Sequence, residues 1–182
     1  MNQNNHKTVF NISPLIRITL LSLYFALTTP LPFLAQTTTL PIPQWVFWLG
    51  LAIGAFLVYT VMTEKVILDD EKIRVTYPDW AKPIWRRGWT LSWHEVKNLK
   101  MRTTGQGGVV YYFTTEKGDR AYLLPMRVAG FAKMVGIVSQ KTDIDTRDIR
   151  PLAQPWMYFF LLGFTLFLLL IDAWVISTAL IG

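Results

Sequence analysis

Val66-Ile67-Leu68-Asp69-Asp70-Glu71-Lys72-Ile73-Arg74-Val75 sets the fold of the polar part of this chain. Lys65–Asp69 and Lys72–Tyr77 are short runs of β-forming residues around an Asp-Asp-Glu turn, and so read as two strands. Pro78–Gly88 follows as a loop with two prolines and two tryptophans. Trp89–Trp93 alternates large apolar residues with Thr90 and Ser92, the period of a half-buried strand. In Val96–Arg102, Val96, Asn98, Lys100 and Arg102 fall on one parity and Leu99 and Met101 on the other. The alternation is imperfect and predicts a bulge or an edge near Lys97-Asn98.

Further on, Gly105–Gly108 is a turn, and Val109–Thr115 and Arg120–Leu124 flank Glu116-Lys117-Gly118-Asp119 as a hairpin. After Pro125 a helix is predicted to about Gln140, with Val128, Phe131, Val135 and Val138 on one apolar face. Thr142–Arg150 is a charged connector. About six antiparallel strands followed by one amphipathic helix predict an α+β domain: a curved sheet or split barrel capped by its C-terminal helix.

Outside this block the chain changes character. Leu15–Ala35, Trp45–Met62 and Trp156–Ile181 are nearly free of charge and long enough to cross a bilayer. They predict an integral membrane α-helical protein with three transmembrane helices. The organisation is residues 1–62 as N-terminal tail and two helices, 63–154 as the polar domain, and 155–182 as the third helix. Residues 1–12 are Asn/Gln-rich and read as a short mobile tail. Pro30 and Pro32 are expected to kink or end the first helix. A cleaved signal peptide is the competing reading of this helix, but Phe33 is too large for the small-residue rule before a cleavage at Ala35.

Charge assigns the sides. Residues 63–154 hold 16 of the 18 Lys and Arg and 11 of the 12 Asp and Glu. Lys7 and Arg17 flank the first run, whereas Gln36–Gln44 and the C-terminal tail carry no Lys or Arg. Positive residues collect on the cytoplasmic side. The expectation is a multi-pass protein with its N-terminus and residues 63–154 cytoplasmic, and its C-terminus on the opposite side. The chain has no cysteine, which excludes disulfides, zinc–thiolate sites, iron–sulfur clusters and cysteine nucleophiles.

The order Val66–Val75, then Trp89-Thr90-Leu91-Ser92-Trp93-His94-Glu95-Val96, then a hairpin, then a helix resembles the bacterial pleckstrin-homology-like (PH-like) domains. The resemblance covers roughly residues 63–141. Their local mark, a strand ending in Trp-x-Glu-Ile/Val, is matched by Trp93, Glu95 and Val96. In that family two N-terminal membrane helices often precede the domain; the third helix here departs from the pattern. The layout also resembles a photosystem I assembly factor of cyanobacteria and chloroplasts, which has two helices and a basic membrane-side domain.

No catalytic set is visible. His94 beside Glu95 lacks a nucleophile and an orienting partner. Gly105–Gly108 is not followed by Lys-Ser/Thr and reads as a plain turn. Asp69, Asp70 and Glu71 read as a turn between strands, since hard cations need ligands spaced to wrap an ion. No metal and no cofactor are expected, and no nucleic-acid partner.

Lys82-Pro83-Ile84-Trp85-Arg86-Arg87-Gly88-Trp89 interleaves cations with aromatic residues. Arginines hold phosphate oxygens in forked hydrogen bonds, and tryptophans suit the bilayer interface. Trp80, Lys82, Trp85, Arg86, Arg87 and Trp89 are therefore the candidate contacts to lipid or to a partner. The alternative is that the tryptophans fill the domain's own core.

Asp172 is the one acid in an apolar run. Its competing roles are a helix–helix or interface hydrogen bond and proton or ion transfer. Phe159, Phe160, Phe164 and Phe167 form an aromatic stripe on the third helix, for lipid contact, helix packing or docking to a larger complex.

The predicted function is non-enzymatic: a membrane-anchored binding, scaffold or assembly module that contacts anionic lipid or a membrane protein complex. The alternatives are a subunit of an oligomeric channel or transporter, and a photosynthetic-complex assembly factor.

Overall fold

The computed structural model of the chain describes residues 7–37, 42–83, 88–103, 105, 109–116, 120–149 and 155–181. The chain divides into two compact units, Met1–Ser13 with Thr63–Leu152, and Pro14–Met62 with Ala153–Gly182.

The first unit is built on two antiparallel sheets. One holds β1 (Thr8–Asn11), β2 (Lys65–Leu68), β3 (Lys72–Thr76) and β4 (Trp89–Ser92) in that order; the other holds β5 (Val96–Thr103), β6 (Val109–Thr115) and β7 (Ala121–Leu123). The turn between β2 and β3 is tied by the Asp69 carboxylate, which accepts from the backbone N–H groups of Glu71 (3.0 Å) and Lys72 (2.9 Å). This use of an Asp side chain as a turn brace accounts for Asp69 there. A single 3-10 turn, Trp93–Glu95, links the sheets, with Ser92 and Glu95 capping each other reciprocally. The pairing of β5 with β6 shifts register between Val96 and Asn98, where the broken alternation predicted a bulge.

Residues 8–11 correct the expectation of a mobile tail. They pair with β2 in the register Val9↔Ile67 and Phe10↔Val66. Phe10 enters the core at 5% exposure while Val9 points out at 50%. The segment continues as a bridge from Ile12 to Val128, with Ser13 N–H on the Arg127 carbonyl (3.0 Å) and Ala129 N–H on the Asn11 carbonyl (2.8 Å).

That bridge also explains a second difference. The helix expected directly after Pro125 begins only at Phe131 (α4, Phe131–Thr142). Val128 is buried as anticipated, but in an extended segment spent on pairing with Ile12. Gly130, at φ +76°, then turns the chain into the helix, a conformation glycine adopts without steric cost. Phe131, Met134, Val135 and Val138 form the buried face of α4 and meet Val66, Ile73, Leu91 and Phe113 from both sheets in one core. Lys141 in its last turn pairs with Asp70 at 2.9 Å.

The second unit is helical: α1 (Pro14–Thr28), α2 (Pro30–Thr37), α3 (Gln44–Val61) and α5 (Pro155–Ile181). The break at Thr29 falls where Pro30 cannot donate to the α1 ladder, as the sequence predicts. Pro14–Gln36, Gln44–Val61 and Pro155–Thr178 are each long and apolar enough to cross a membrane. Within the unit, the Tyr24 hydroxyl donates to the Leu51 carbonyl of α3 (2.9 Å), and its ring lies against Gly54, where a side chain would collide with it. Close approach at a small residue is how apolar helices pack.

Candidate functional site

The surface that gathers sequence-predicted residues lies beside β3 and β4. Strand alternation buries Ile73 and Val75 and turns Arg74 outward, opposite Thr90 in the β3–β4 register. After β3 the chain makes a tight turn, with the N–H groups of Ala81 (2.9 Å) and Lys82 (3.2 Å) both on the Pro78 carbonyl. The buried Ala81 pins this turn. Arg74, Thr76, Lys82, Pro83 and Thr90 then line an open groove of about 760 Å³.

The groove is cationic and edged with hydroxyls. Lys82 forms an ion pair with Asp79. Its hydrogen bond, and then its charge, hold the Asp79 carboxyl below the ordinary range. The Asp79 side chain is 96% exposed, so water competes for this pair and the lysine is held only weakly. Arg74 supplies a planar guanidinium that can grip phosphate or carboxylate oxygens in pairs. The sequence reading passed over Arg74, although its parity in β3 was a usable signal.

The remaining candidates separate. Trp80 is 47% exposed. Trp85, Arg86 and Arg87 lie outside the described residues. Trp89 turns inward: its ring packs on Tyr122 (centroids 5.3 Å apart) and Phe113 (6.3 Å), which makes it part of the core wall. Trp93 is also core, at 7% exposure, with its indole N–H on the Asp69 carbonyl at 2.9 Å. His94 is exposed on the 3-10 turn. Among the described residues, no group of three or more His, Cys, Asp or Glu is placed to hold a metal ion.

In the connector, Arg147 clamps Asp145 through its side chain and backbone and pulls that carboxyl down to about 2. In the helical unit, Asp172 has one buried carboxylate oxygen without a hydrogen-bond partner among the described residues, and the Arg17 Nε is in the same state. Another Arg17 nitrogen reaches the Met62 carbonyl at 3.2 Å.

No family model matches the chain, and no solved structure matches it. A Synechocystis protein described as "Uncharacterized protein slr0269" is 54% identical over 166 residues, an alignment spanning 91% of this chain and 83% of the relative. Identity that high over nearly the whole length places the chain in the same family as the Synechocystis protein slr0269.

Proposed function

We propose that the chain is an integral membrane protein whose β-rich unit is a non-enzymatic recognition module of PH-like type, acting at the cytoplasmic face on anionic lipid head groups. The observation that carries this reading is the open groove of Arg74, Lys82, Thr76 and Thr90, with the half-exposed Trp80 two residues before Lys82 in sequence. A cationic, hydroxyl-edged surface with an indole close in sequence matches the chemistry of a phosphate-bearing interface. Two antiparallel sheets followed by one amphipathic helix support the PH-like reading.

Charge supports the sidedness, and strand pairing supports an even number of crossings between residues 13 and 63. The Lys and Arg residues concentrate before the first span and between the second and third. In addition, Asn11 pairs with Lys65, and paired residues in antiparallel strands stand about 4.5–5.5 Å apart. The chain therefore leaves the β-rich unit at residue 13 and returns at residue 63 on one side. Two crossings satisfy that closure, with the third leading away from the domain.

Native cysteine is absent, so single-cysteine labelling is clean. A spin label at Thr90→Cys, in full-length protein in nanodiscs, reports the groove's surroundings. Anionic phosphatidylglycerol is expected to raise its collisions with lipid-dissolved oxygen over those in phosphatidylcholine, and Arg74→Gln with Lys82→Gln to abolish the difference. Equal accessibility in both lipids refutes the lipid reading. An impermeant maleimide is expected to label Lys100→Cys only from the cytoplasmic side and Ile42→Cys only from the other; the reverse pattern refutes the sidedness.

A further inference from the structure

The β-rich unit has a second concavity, which is separate from the cationic groove in its chemistry. It is a cavity of about 450 Å³ between the ends of the two sheets, within the roughly 300–1,000 Å³ of small-molecule sites. Its wall is apolar, formed by Trp89, Val110, Leu124 and Met126 among others. Leu123, also in the lining, is 55% exposed, so the apolar surface continues outward instead of closing over. The lining carries two charged side chains, Glu64 and Arg127, and one further titratable group, Tyr77.

The two charges are not spent on each other. Arg127 is near enough for its charge to act on Glu64, yet among the described residues no contact within ion-pair distance joins them. Burial dominates at Glu64 and raises its carboxyl above the ordinary 4.5, with Arg127 opposing. Protonation removes the negative charge from the cavity and leaves a hydroxyl donor, while the guanidinium keeps its charge throughout. A site of this kind accepts an anion beside Arg127 and repels a cation once Glu64 is neutral.

We propose that this cavity binds a single-chain amphiphile with an anionic head, its carboxylate or phosphate on Arg127 and its hydrocarbon chain along Trp89, Leu124 and Met126. Three observations converge on that ligand class. The apolar wall suits hydrocarbon, the lone guanidinium suits one compact anion, and the exposed Leu123 carries the apolar path from the cavity to its rim. In sequence, Ile12 and Glu64, both in the lining, lie two residues before α1 and three residues after α3. The site shares Val75 and Gly88 with the groove but neither Arg74 nor Lys82, so binding at either can fail alone.

The test uses full-length protein in nanodiscs and a decanoic acid bearing a terminal diazirine, photolysed and mapped by mass spectrometry. Label is expected on residues 121–128 and on Trp89, displaced by excess decanoate and not by 1-decanol. Lysophosphatidylglycerol as a second competitor separates the sources: displacement at a lower concentration than decanoate identifies a phospholipid-derived head, and displacement only at a higher concentration, or none, identifies a free fatty acid. Arg127→Gln is expected to cut labelling at least fivefold. Glu64→Gln is expected to raise labelling at neutral pH, and Leu123→Trp, at an exposed rim position, to block entry. Label confined to the apolar helices, equal competition by decanol, or unchanged labelling in Arg127→Gln overturns the proposal.

Discussion

If residues 8–11 belong to the folded unit, Phe10→Ala destabilises the β-rich unit as a core deletion, whereas truncating a tail residue does nothing. Phe10 is 5% exposed and packs in the core with Val66, Leu68 and Val128. A buried aromatic side chain removes about 150–250 Å² from water. At about 25 cal/mol per Å² that amounts to roughly 4–6 kcal/mol, an upper bound because the unfolded chain is already partly collapsed. Measured Phe→Ala costs in cores run at about 3–5 kcal/mol, so about 3–5 kcal/mol is expected. Set against a total domain stability of about 5–15 kcal/mol, the loss is severe without necessarily abolishing folding. The assay is native-state hydrogen exchange of full-length protein in nanodiscs, read at the β2 and β3 amides. At about 1.4 kcal/mol per tenfold change, those amides are expected to exchange roughly 100-fold faster or more. Val9→Ala, at the 50% exposed neighbour, is the internal control and is expected to stay within about 0.5 kcal/mol. Exchange in Phe10→Ala within about threefold of wild type, as Val9→Ala predicts for a loosely held segment, refutes the placement of β1.

Three further outcomes follow from close contacts and from burial. A Cβ at Gly88 runs into the backbone carbonyl oxygen of Val75, so Gly88→Ala is expected to cost about 3 kcal/mol, at the upper end of overpacking penalties, and to lower the unfolding midpoint of the β-rich unit in urea. Gly54→Ala pushes on the Tyr24 hydroxyl and breaks its hydrogen bond to Leu51; thermal stability in detergent is expected to fall by about 1–3 kcal/mol. The raised Glu64 carboxyl means that the folded state holds its proton more tightly than the unfolded state. Stability is therefore expected to decline as pH rises from the ordinary 4.5 through the raised value, and Glu64→Gln to flatten that slope. A slope that rises with pH in wild type, or that persists in the variant, contradicts the assignment.

Much of the β-rich unit is legible because its order is local. The β2–β3 turn and the hairpin at 109–123 rest on neighbours within a dozen residues, and the bulge near Asn98 on partners fewer than twenty away, where alternation and turn chemistry act directly. β1 is invisible in sequence for the opposite reason. It is four residues long, and its partner begins at Lys65, across two apolar runs. The late start of α4 has the same origin, because Val128 fits a helical face by spacing but is claimed by Ile12. Trp89 shows the limit for sites. An indole suits an interface and a core equally well, and only the approach of Phe113 and Tyr122 decides between them. Glu64 and Arg127 lie far apart in sequence and share no motif, so the cavity they line has no sequence signal at all.

The helical unit bears on the competing transport reading. The Thr19 hydroxyl approaches the Tyr158 carbonyl at 3.5 Å, which sets the start of α1 beside the start of α5. Asp172 lies 14 residues past Tyr158, about 21 Å further along at 1.5 Å per residue. Arg17, two residues before Thr19, is therefore near the opposite end and does not neutralise Asp172. A proton or ion path within one chain needs polar groups that hand over between those ends. Two buried hydroxyls of the unit are committed within their own helices: Thr60, at the Arg17 end, donates to the Phe56 carbonyl at 2.6 Å, and Thr165, between the two ends, to Leu161 at 2.7 Å. Among the described residues two separated charges without a relay are compatible with the proposed reading, in which the helices anchor and the β-rich unit recognises. Asp172→Asn provides the check. In the anchorage reading it leaves proton flux across proteoliposomes at the protein-free background, the same as wild type; wild-type flux above background that this substitution abolishes supports transport.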